Sequence, residues 1–325
     1  MALLSILLPY LYADDALFKA IDSILKQTYT DWELILIANG NPEEYVRCKR
    51  HTADDRFIHL MENQRGIAYA LNSGLIAARG KYIGRMDADD VSLPNRFQLQ
   101  VAFLENHPHV AAVSCRTLFD SPKQAEGYKQ FVAWQNEIIS PEQHFIYRFQ
   151  ESAIAHPSIC FRKILIQNHG AYSTLPWPED YELWLRWMEA GELIQKLLIV
   201  GLIWKDSPGR LSRTNPSYSD EAFFRLKAKY LIPLTTGKKV LICGSSDQAK
   251  QRWDWMEQEG LKMDAWTDIA PKNKMGAPFI SANEISWSEE WIVLSLIAQI
   301  GTREKVAAYF IEKGYQPCVD YFSCA

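Results

Sequence analysis

Two short stretches of this sequence hold carboxylates in arrangements that are unfavourable unless something compensates. The first, Asp87-Ala88-Asp89-Asp90, puts three acids into four positions directly after an apolar run. Like charges at that spacing repel, so water, hydrogen-bond donors or a cation must offset them. A solvated turn closing a strand is one solution. A metal site is the other: in an extended segment alternate side chains share a face, so Asp87 and Asp89 project together while Ala88 points away. Two convergent carboxylates suit Mg2+ or Mn2+, which complete their shells with water and substrate phosphates. The second stretch, Trp177-Pro178-Glu179-Asp180-Tyr181, pairs two acids at the start of an aromatic-rich helical segment. Acids are favoured there as caps and by the helix dipole. A carboxylate so placed can also take the proton of a hydroxyl as that hydroxyl attacks.

Holding these groups requires a scaffold, and the apolar pattern supplies one. "LSILLP" and "WELILIAN" are short apolar runs bounded by Pro9 and by Asn39-Gly40. Between them Leu17, Ile21, Ile24 and Leu25 recur at helical spacing behind acidic residues, which makes strand–helix–strand and a parallel pair. "IAYALNSGLIAA" is again helical, stops at Arg79-Gly80, and leads into "KYIGRMD". The alternation predicts an α/β domain with a mostly parallel mixed sheet. Ligands gather at the carboxyl ends of such strands, where Asn39 and Asp87 both stand. Beyond residue 120, "SPKQAEGYKQ" reads as a loop, "PEQHFIYRF" as helical, "SICFRK" as a strand, and "LIQKLLIVGLIWK" as strand structure after the helix that stops near Gly191.

A second strand–helix–strand pattern starts at "TTGKKVLICGSS". The domains expected are therefore 1–213, a helical connector at 214–236, and a small Rossmann-like α/β domain at 237–325. There "CGSSDQA" gives G-x-S-x-x-A, a degraded dinucleotide fingerprint with Asp268 downstream. Gly244 keeps the tight turn, but Ser246 replaces the glycine needed for close pyrophosphate approach, so a structural or assembly role is expected rather than a working NAD site.

Composition narrows the class. A net charge of −4 over 325 residues argues against nucleic acid as a partner. The longest apolar run, "LLIVGLIW", is too short to cross a bilayer. "MALLSILLPY" has no cationic leader and reads as a first strand rather than a signal peptide. Six cysteines without a C-x-x-C pattern read as reduced, partly buried thiols of a cytoplasmic protein.

The run "SILLPYL…AIDSILKQTYTDWELILIANGN…NQRGIAYALNSGLIAARGKYIGRMDADDVSLPNRF" resembles the nucleotide-binding half of family 2 glycosyltransferases, which have the GT-A fold. The likeness covers about the first 120 residues strongly, resumes at "HPSICFRK" and "PEDYELWLRW", and fades into "KDSPGRLSR". It implies an inverting transferase that uses a nucleotide sugar, a UDP-sugar in the first place, with Mg2+ or Mn2+. The acceptor implied is a saccharide or lipid-linked glycan, which allows work at the inner face of the membrane. By the same match Asp87 and Asp89 bind the metal, and Asp87 with Ala88 lies along the donor. Asp180 is the general base, with Glu179 supporting it or holding the acceptor. His156 stands where a third metal ligand, an acceptor contact or a hydrogen-bonded structural histidine would each fit.

Several positions depart from the family. Ala38-Asn39-Gly40-Asn41 replaces a pair of aspartates followed by Gly-Ser, so Asn39 would read a base edge through its amide, or simply form the turn that Asn-Gly favours. Pro9-Tyr10-Leu11-Tyr12 lacks the family's asparagine, leaving Pro9 and Tyr10 or Tyr12 to line the base pocket. Arg65 and Arg79 are candidates for the pyrophosphate or are solvated arginines. Trp177 is a candidate platform for an acceptor sugar, whereas Trp184 and Trp187 belong to the core. Arg210, in a loop with Ser207 and Ser212, could meet the leaving diphosphate. Two rivals share parts of this pattern. A sugar nucleotidyltransferase would show a glycine- and basic-rich first loop that "LLPYLYADD" lacks, and a non-catalytic sugar-nucleotide sensor would bind donors without turnover.

Overall fold

The computed structural model describes residues 3–121, 126–206, 210–285 and 291–325. The chain forms two compact units. One comprises residues up to His144, Ala153–Leu175 and Glu179–Arg210; the other comprises Phe145–Ser152, Pro176–Pro178 and Leu211–Ala325.

The first unit opens with β1 (Leu4–Tyr10), α1 (Asp15–Leu25), β2 (Trp32–Asn39), α2 (Pro42–His51), β3 (Phe57–Glu62), α3 (Ile67–Ala77) and β4 (Tyr82–Arg85). These strands lie parallel in the order β3-β2-β1-β4. Every residue of β1 and β2 is buried, as befits strands covered on both faces. Asp14 caps α1 by accepting from the Ala16 and Leu17 N–H groups at 3.0 and 3.1 Å. α3 lies so close on the sheet that a Cβ at Gly74 would stand 3.1 Å from both Leu7 and Ile37.

The sheet continues through β5 (Val91–Ser92), α4 (Arg96–Asn106), β6 (Val110–Asp120), α5 (Glu126–Glu137), α6 (Pro141–Ile146), β7 (Cys160–Arg162), α7 (Ile164–His169), α8 (Glu179–Glu189) and β8 (Leu193–Lys205). Its full order is β3-β2-β1-β4-β7-β6-β8-β5, mostly parallel, with β7 antiparallel to both neighbours and β5 antiparallel to β8. α5 falls where the sequence suggested a loop. Only Val132 and Gln135 of it are buried, and so thin an apolar stripe barely marks a helix. Trp184 and Trp187 are core residues, 1% and 0% exposed.

The amino-terminal edge of the sheet carries its own polar lock. Glu33, 1% exposed, accepts from Ser5 Oγ at 2.6 Å and from the Arg79 backbone N–H and Nε at 2.7 Å each. Burial pushes this carboxyl up, but those donors and the arginine charge outweigh it and hold the pKa below its ordinary value. Arg79 is thereby corrected as a pyrophosphate candidate. It precedes β4 and so stands at the edge opposite to Asn39 and Asp87. Because a depressed pKa stabilises the fold above the ordinary glutamate range and loses that effect as pH falls, Glu33→Gln should cost about 1–3 kcal/mol near neutral pH. The deficit should shrink at about pH 3. Urea unfolding of both proteins at the two pH values checks this, and an equal deficit at both would count against the lock.

The second unit contains α9 (Leu211–Thr214), α10 (Asp220–Thr235), β9 (Lys239–Cys243), α11 (Asp247–Gln258), β10 (Ala265–Thr267), β11 (Trp291–Ser295), α12 (Thr302–Glu312) and β12 (Tyr321–Ser323). Its four strands are parallel in the order β10-β9-β11-β12. The buried ammonium of Lys227 donates to the carbonyls of Gln150 and Cys324, at 3.1 and 3.0 Å. After β9, Gly244 adopts φ +111° and a Cβ there would stand 3.0 Å from Ile297. The next N–H, that of Ser245, and the Ser245 hydroxyl both donate to Asp268 at 2.7 Å. A carboxylate of the chain itself thus covers the N–H that a pyrophosphate would need. All six cysteines are free, five of them buried. Among the described residues no helix is long and apolar enough to cross a membrane.

Candidate active site

The acid-rich stretch turns instead of running on as a strand. β4 ends at Arg85, Ala88 and Asp89 form a turn, and the Asp90 N–H points back to the Asp87 carbonyl at 3.4 Å. The shared strand face expected for Asp87 and Asp89 is thus replaced by a bend. Its cause is Asp90, 1% exposed, whose Oδ1 accepts the Lys205 N–H of β8 at 2.9 Å. Asp87, Ala88 and Asp89 stay half-exposed on the outer side of that bend.

Asp90 and Asp87 part company electrostatically. Burial pushes Asp90 well above the ordinary aspartate range, and the charges of Asp87 and Asp89 add to the push. Asp87 is lowered: burial acts against it, but Arg85, His156 and Arg210 outweigh burial. Arg85, 2% exposed, meets Asp87 Oδ1 at 2.7 Å and also donates to the Met86 carbonyl. Two half-exposed carboxylates on one bend are hard oxygen donors that fit Mg2+ or Mn2+, provided phosphate and water fill the remaining positions. Among the described residues no cluster of three or more His, Cys, Asp or Glu side chains forms a closed metal cage.

The second acid pair opens α8. Glu179 is 4% exposed and its Oε1 lies 3.6 Å from His156 Nδ1. His156 Nε2 and the Tyr172 hydroxyl are 3.0 Å apart, so both ring nitrogens face protein partners, as a hydrogen-bonded structural histidine would. Burial and Arg85 push His156 down to about 4, against the pull of Asp180 and Asp87, and the ring is neutral near pH 7. Tyr172 is itself fixed: its N–H and carbonyl bond the Asn72 amide of α3 at 3.0 and 2.9 Å, as a strand neighbour would. Asp180 is half-exposed and accepts the Tyr181 N–H at 2.8 Å. Crowding by protein pushes its pKa up to about 6, helped by Glu179 and opposed by His156, the Tyr181 N–H and Arg85.

At the carboxyl edge Asn39, 6% exposed, clamps the loop after β3: Nδ2 donates to the Gln64 carbonyl and Oδ1 accepts the Gly66 N–H, both at 2.8 Å. Gly40 turns the chain with φ +75°, and Arg65 lies across it so closely that a Cβ at Gly40 would stand 2.6 Å from Arg65 Cγ. Asn39→Asp would turn a carboxylate oxygen toward the Gln64 carbonyl, at a cost of about 1–3 kcal/mol. Lower thermal stability together with a changed ranking of UDP, GDP and CDP in competition binding is the expected outcome. An unchanged ranking would leave Asn39 as a loop clamp alone.

Pro9 and Tyr10 are corrected as pocket residues. Both are buried in β1, Tyr10 at 3% exposure beside Cys48, because β1 is a central strand covered on both faces. Tyr12 is 65% exposed. Arg210 stacks on Trp204 and Tyr128, 4.3 and 5.3 Å from the ring centres. Ser207 lies outside the described residues, and Ser212 falls in α9 of the second unit. Trp177 also belongs to the second unit, where the Lys229 ammonium sits 5.4 Å from its ring. Sequence reading missed Arg85, Asn72 and Tyr172. An arginine ending an otherwise apolar strand was the one available signal.

Residues 5–169 match the model of Glycosyl transferase family 2, and the chain belongs to that family. Its larger unit has the GT-A type of fold. The chain is 33% identical over 173 residues to the O-antigen biosynthesis glycosyltransferase WbnJ of Escherichia coli, covering 51% of this chain and 64% of that protein. It is 28% identical over 186 residues to the amylovoran biosynthesis glycosyltransferase AmsE of Erwinia amylovora, covering 55% and 66%. Over 254 residues it is 29% identical to the bifunctional glycosyltransferase pgtA of Dictyostelium discoideum, covering 63% and 32%. The chain thus spans between a third and two thirds of the length of these relatives. In fold it is similar to S. aureus TarS 1–349 in complex with UDP-GlcNAc, with a TM-score of 0.57 at 13% identity over 80% of this chain and 71% of that one.

Proposed function

We propose that the chain is an inverting glycosyltransferase that moves a sugar from a nucleotide diphosphate-sugar to a hydroxyl of a saccharide or glycan acceptor. One observation carries the reading: a single unit holds one half-exposed acid limb, where Arg85 at 2.7 Å keeps Asp87 ionised, and another acid, Asp180, raised to about 6. Acids whose pKa values are pushed apart mark a division of labour between charge handling and proton transfer. Family membership supports sugar transfer, and the names of WbnJ and AmsE, together with the UDP-GlcNAc held by TarS, support a UDP-sugar donor and a polysaccharide pathway.

In this reading Asp87 and Asp89 are the residues that would hold Mg2+ or Mn2+. The cation, when bound, supplies Lewis-acid neutralisation of the leaving group. Asp180 accepts the acceptor's proton as its oxygen bonds to the anomeric carbon. The bond from that carbon to the diphosphate breaks on the far side, and its electron pair leaves with the diphosphate. One base and one in-line displacement invert the centre. Glu179 and neutral His156 buttress Asp180, and Arg85 keeps Asp87 charged and aimed. A lipid-linked acceptor would place the work at the inner membrane face.

Thermal-shift screening of nucleotide sugars with and without Mn2+ tests the donor, since a ligand selective for the native state raises stability. Binding followed by release of the nucleoside diphosphate supports the transferase. Binding without any turnover, toward water or toward saccharide acceptors, would make the chain a sensor instead.

A further inference from the structure

We propose that Arg96, the first residue of α4, is a positioning residue that fixes the limb bearing Asp87 against the limb bearing His156, an inference that rests on the transferase reading above. Arg96 is 0% exposed. Its Nη2 donates to two carbonyls at once, that of Arg85 at 3.0 Å and that of Pro157 at 2.6 Å. Nε donates to Gln100 Oε1 at 3.1 Å, and Nη1 lies 3.8 Å from the Met86 sulfur. Gln100, one turn on, sends its own amide to the carbonyls of Ser158 at 2.8 Å and Val113 at 3.1 Å. Two side chains of one helix therefore hold the backbone just before Asp87 and just after His156.

Every acceptor around Arg96 is neutral. A buried guanidinium without a paired carboxylate is costly to desolvate, and an apolar side chain of similar volume would fill a plain core more cheaply. The charge is retained here by geometry. A fork of N–H groups can reach carbonyls from two chain segments at fixed angles, which a lysine or methionine cannot do. The fold makes room for it: a Cβ on Gly201 of β8 would lie 3.2 Å from Arg96 Cγ and 2.6 Å from Cys115 Sγ. Catalytic groups held on opposed segments lose rate steeply when their spacing relaxes by about an ångström.

The test compares wild type with Arg96→Met, Arg96→Lys and Gln100→Leu. Turnover of the nucleotide sugar that wild type hydrolyses fastest is read with UDP binding, measured by calorimetry with and without Mn2+. Per folded molecule, Arg96→Met is expected to lower kcat about tenfold to a hundredfold with KM for the donor within about threefold, and Arg96→Lys to recover part of it. A packing role alone would scale kcat with the folded fraction and give no such split, so kcat within twofold of wild type per folded molecule overturns the proposal. Should Arg96→Met fail to fold, Gln100→Leu keeps the charge but drops the Ser158 and Nε anchors. A fall in its kcat at constant KM supports the proposal, and an unchanged kcat overturns it. If wild type turns over no nucleotide sugar, the transferase reading fails and binding decides: loss of the Mn2+-dependent tightening of UDP in Arg96→Met supports positioning of the Asp87 limb, and full retention overturns it.

Discussion

Exchanging Asp180 for asparagine is expected to lower turnover about a hundredfold to ten-thousandfold while leaving donor affinity nearly unchanged. The amide keeps the size of the side chain and its hydrogen bond from the Tyr181 N–H, but it cannot take a proton. Wild type should also gain activity as pH rises through about 6, since only the ionised carboxylate is a base and its pKa sits there. Burial sets this midpoint in the first place; Glu179 raises it further, and His156, the Tyr181 N–H and Arg85 lower it. Removing the carboxyl should abolish that limb of the pH profile. Stability gives an independent readout with its own sign. A carboxyl raised in the native state favours folding when protonated, so wild type loses that benefit between about pH 4 and about pH 6. Across that window Asp180→Asn should gain slightly on wild type, and only slightly because the group is half-exposed. A helix cap behaves differently, because asparagine caps about as well as aspartate. Near-normal steady-state turnover in the variant would return Asp180 to that role.

Asp89→Ala and Asp87→Ala should separate metal binding from folding. Asp89→Ala is expected to keep the fold and lose the Mn2+-dependent tightening of UDP binding. Asp87→Ala should lose the same tightening and also strand the buried Arg85 guanidinium, whose 2.7 Å carboxylate partner disappears. Because Asp87 is itself half-exposed and the Met86 carbonyl still accepts from Arg85, this loss should cost about 1–3 kcal/mol. Calorimetry with and without Mn2+, alongside chemical unfolding, measures both effects. Equal metal enhancement in wild type and both variants would remove the metal role, and equal stability of the two variants would remove the buried pair.

β1, α1, β2, α3 and β4 were legible because each announces itself locally, whereas α2, β3, α4 and β6 carry weaker local patterns and went unread. β1 and β2 are unbroken apolar runs, α1 has a helical stripe behind an aspartate cap, and β8 spans the full run "LIQKLLIVGLIWK". Misreadings came where the deciding partner is distant. The bend at Asp87–Asp90 is set by Lys205, and the pinning of Tyr172 by Asn72 joins residues a hundred positions apart. Arg79 could have been placed from topology alone, since a helix-to-strand loop in a parallel sheet lies at the amino edge. Tyr10 was misassigned because a strand end looks open in sequence, whereas helix packing closes it.

The clamp at Asn39 has a consequence for the chemical durability of the chain. Asn-Gly is the pair most prone to lose its amide, by attack of the glycine nitrogen on the asparagine side chain to close a five-membered ring. In the folded chain the Gly40 N–H donates to the Glu62 carbonyl at 2.7 Å, and the Asn39 amide is bonded on both arms. Nucleophile and target are thus each tied to other partners and kept from one another. Damage at Asn39 would accumulate while the chain is open, so its extent would act as a clock for the time each molecule has spent unfolded.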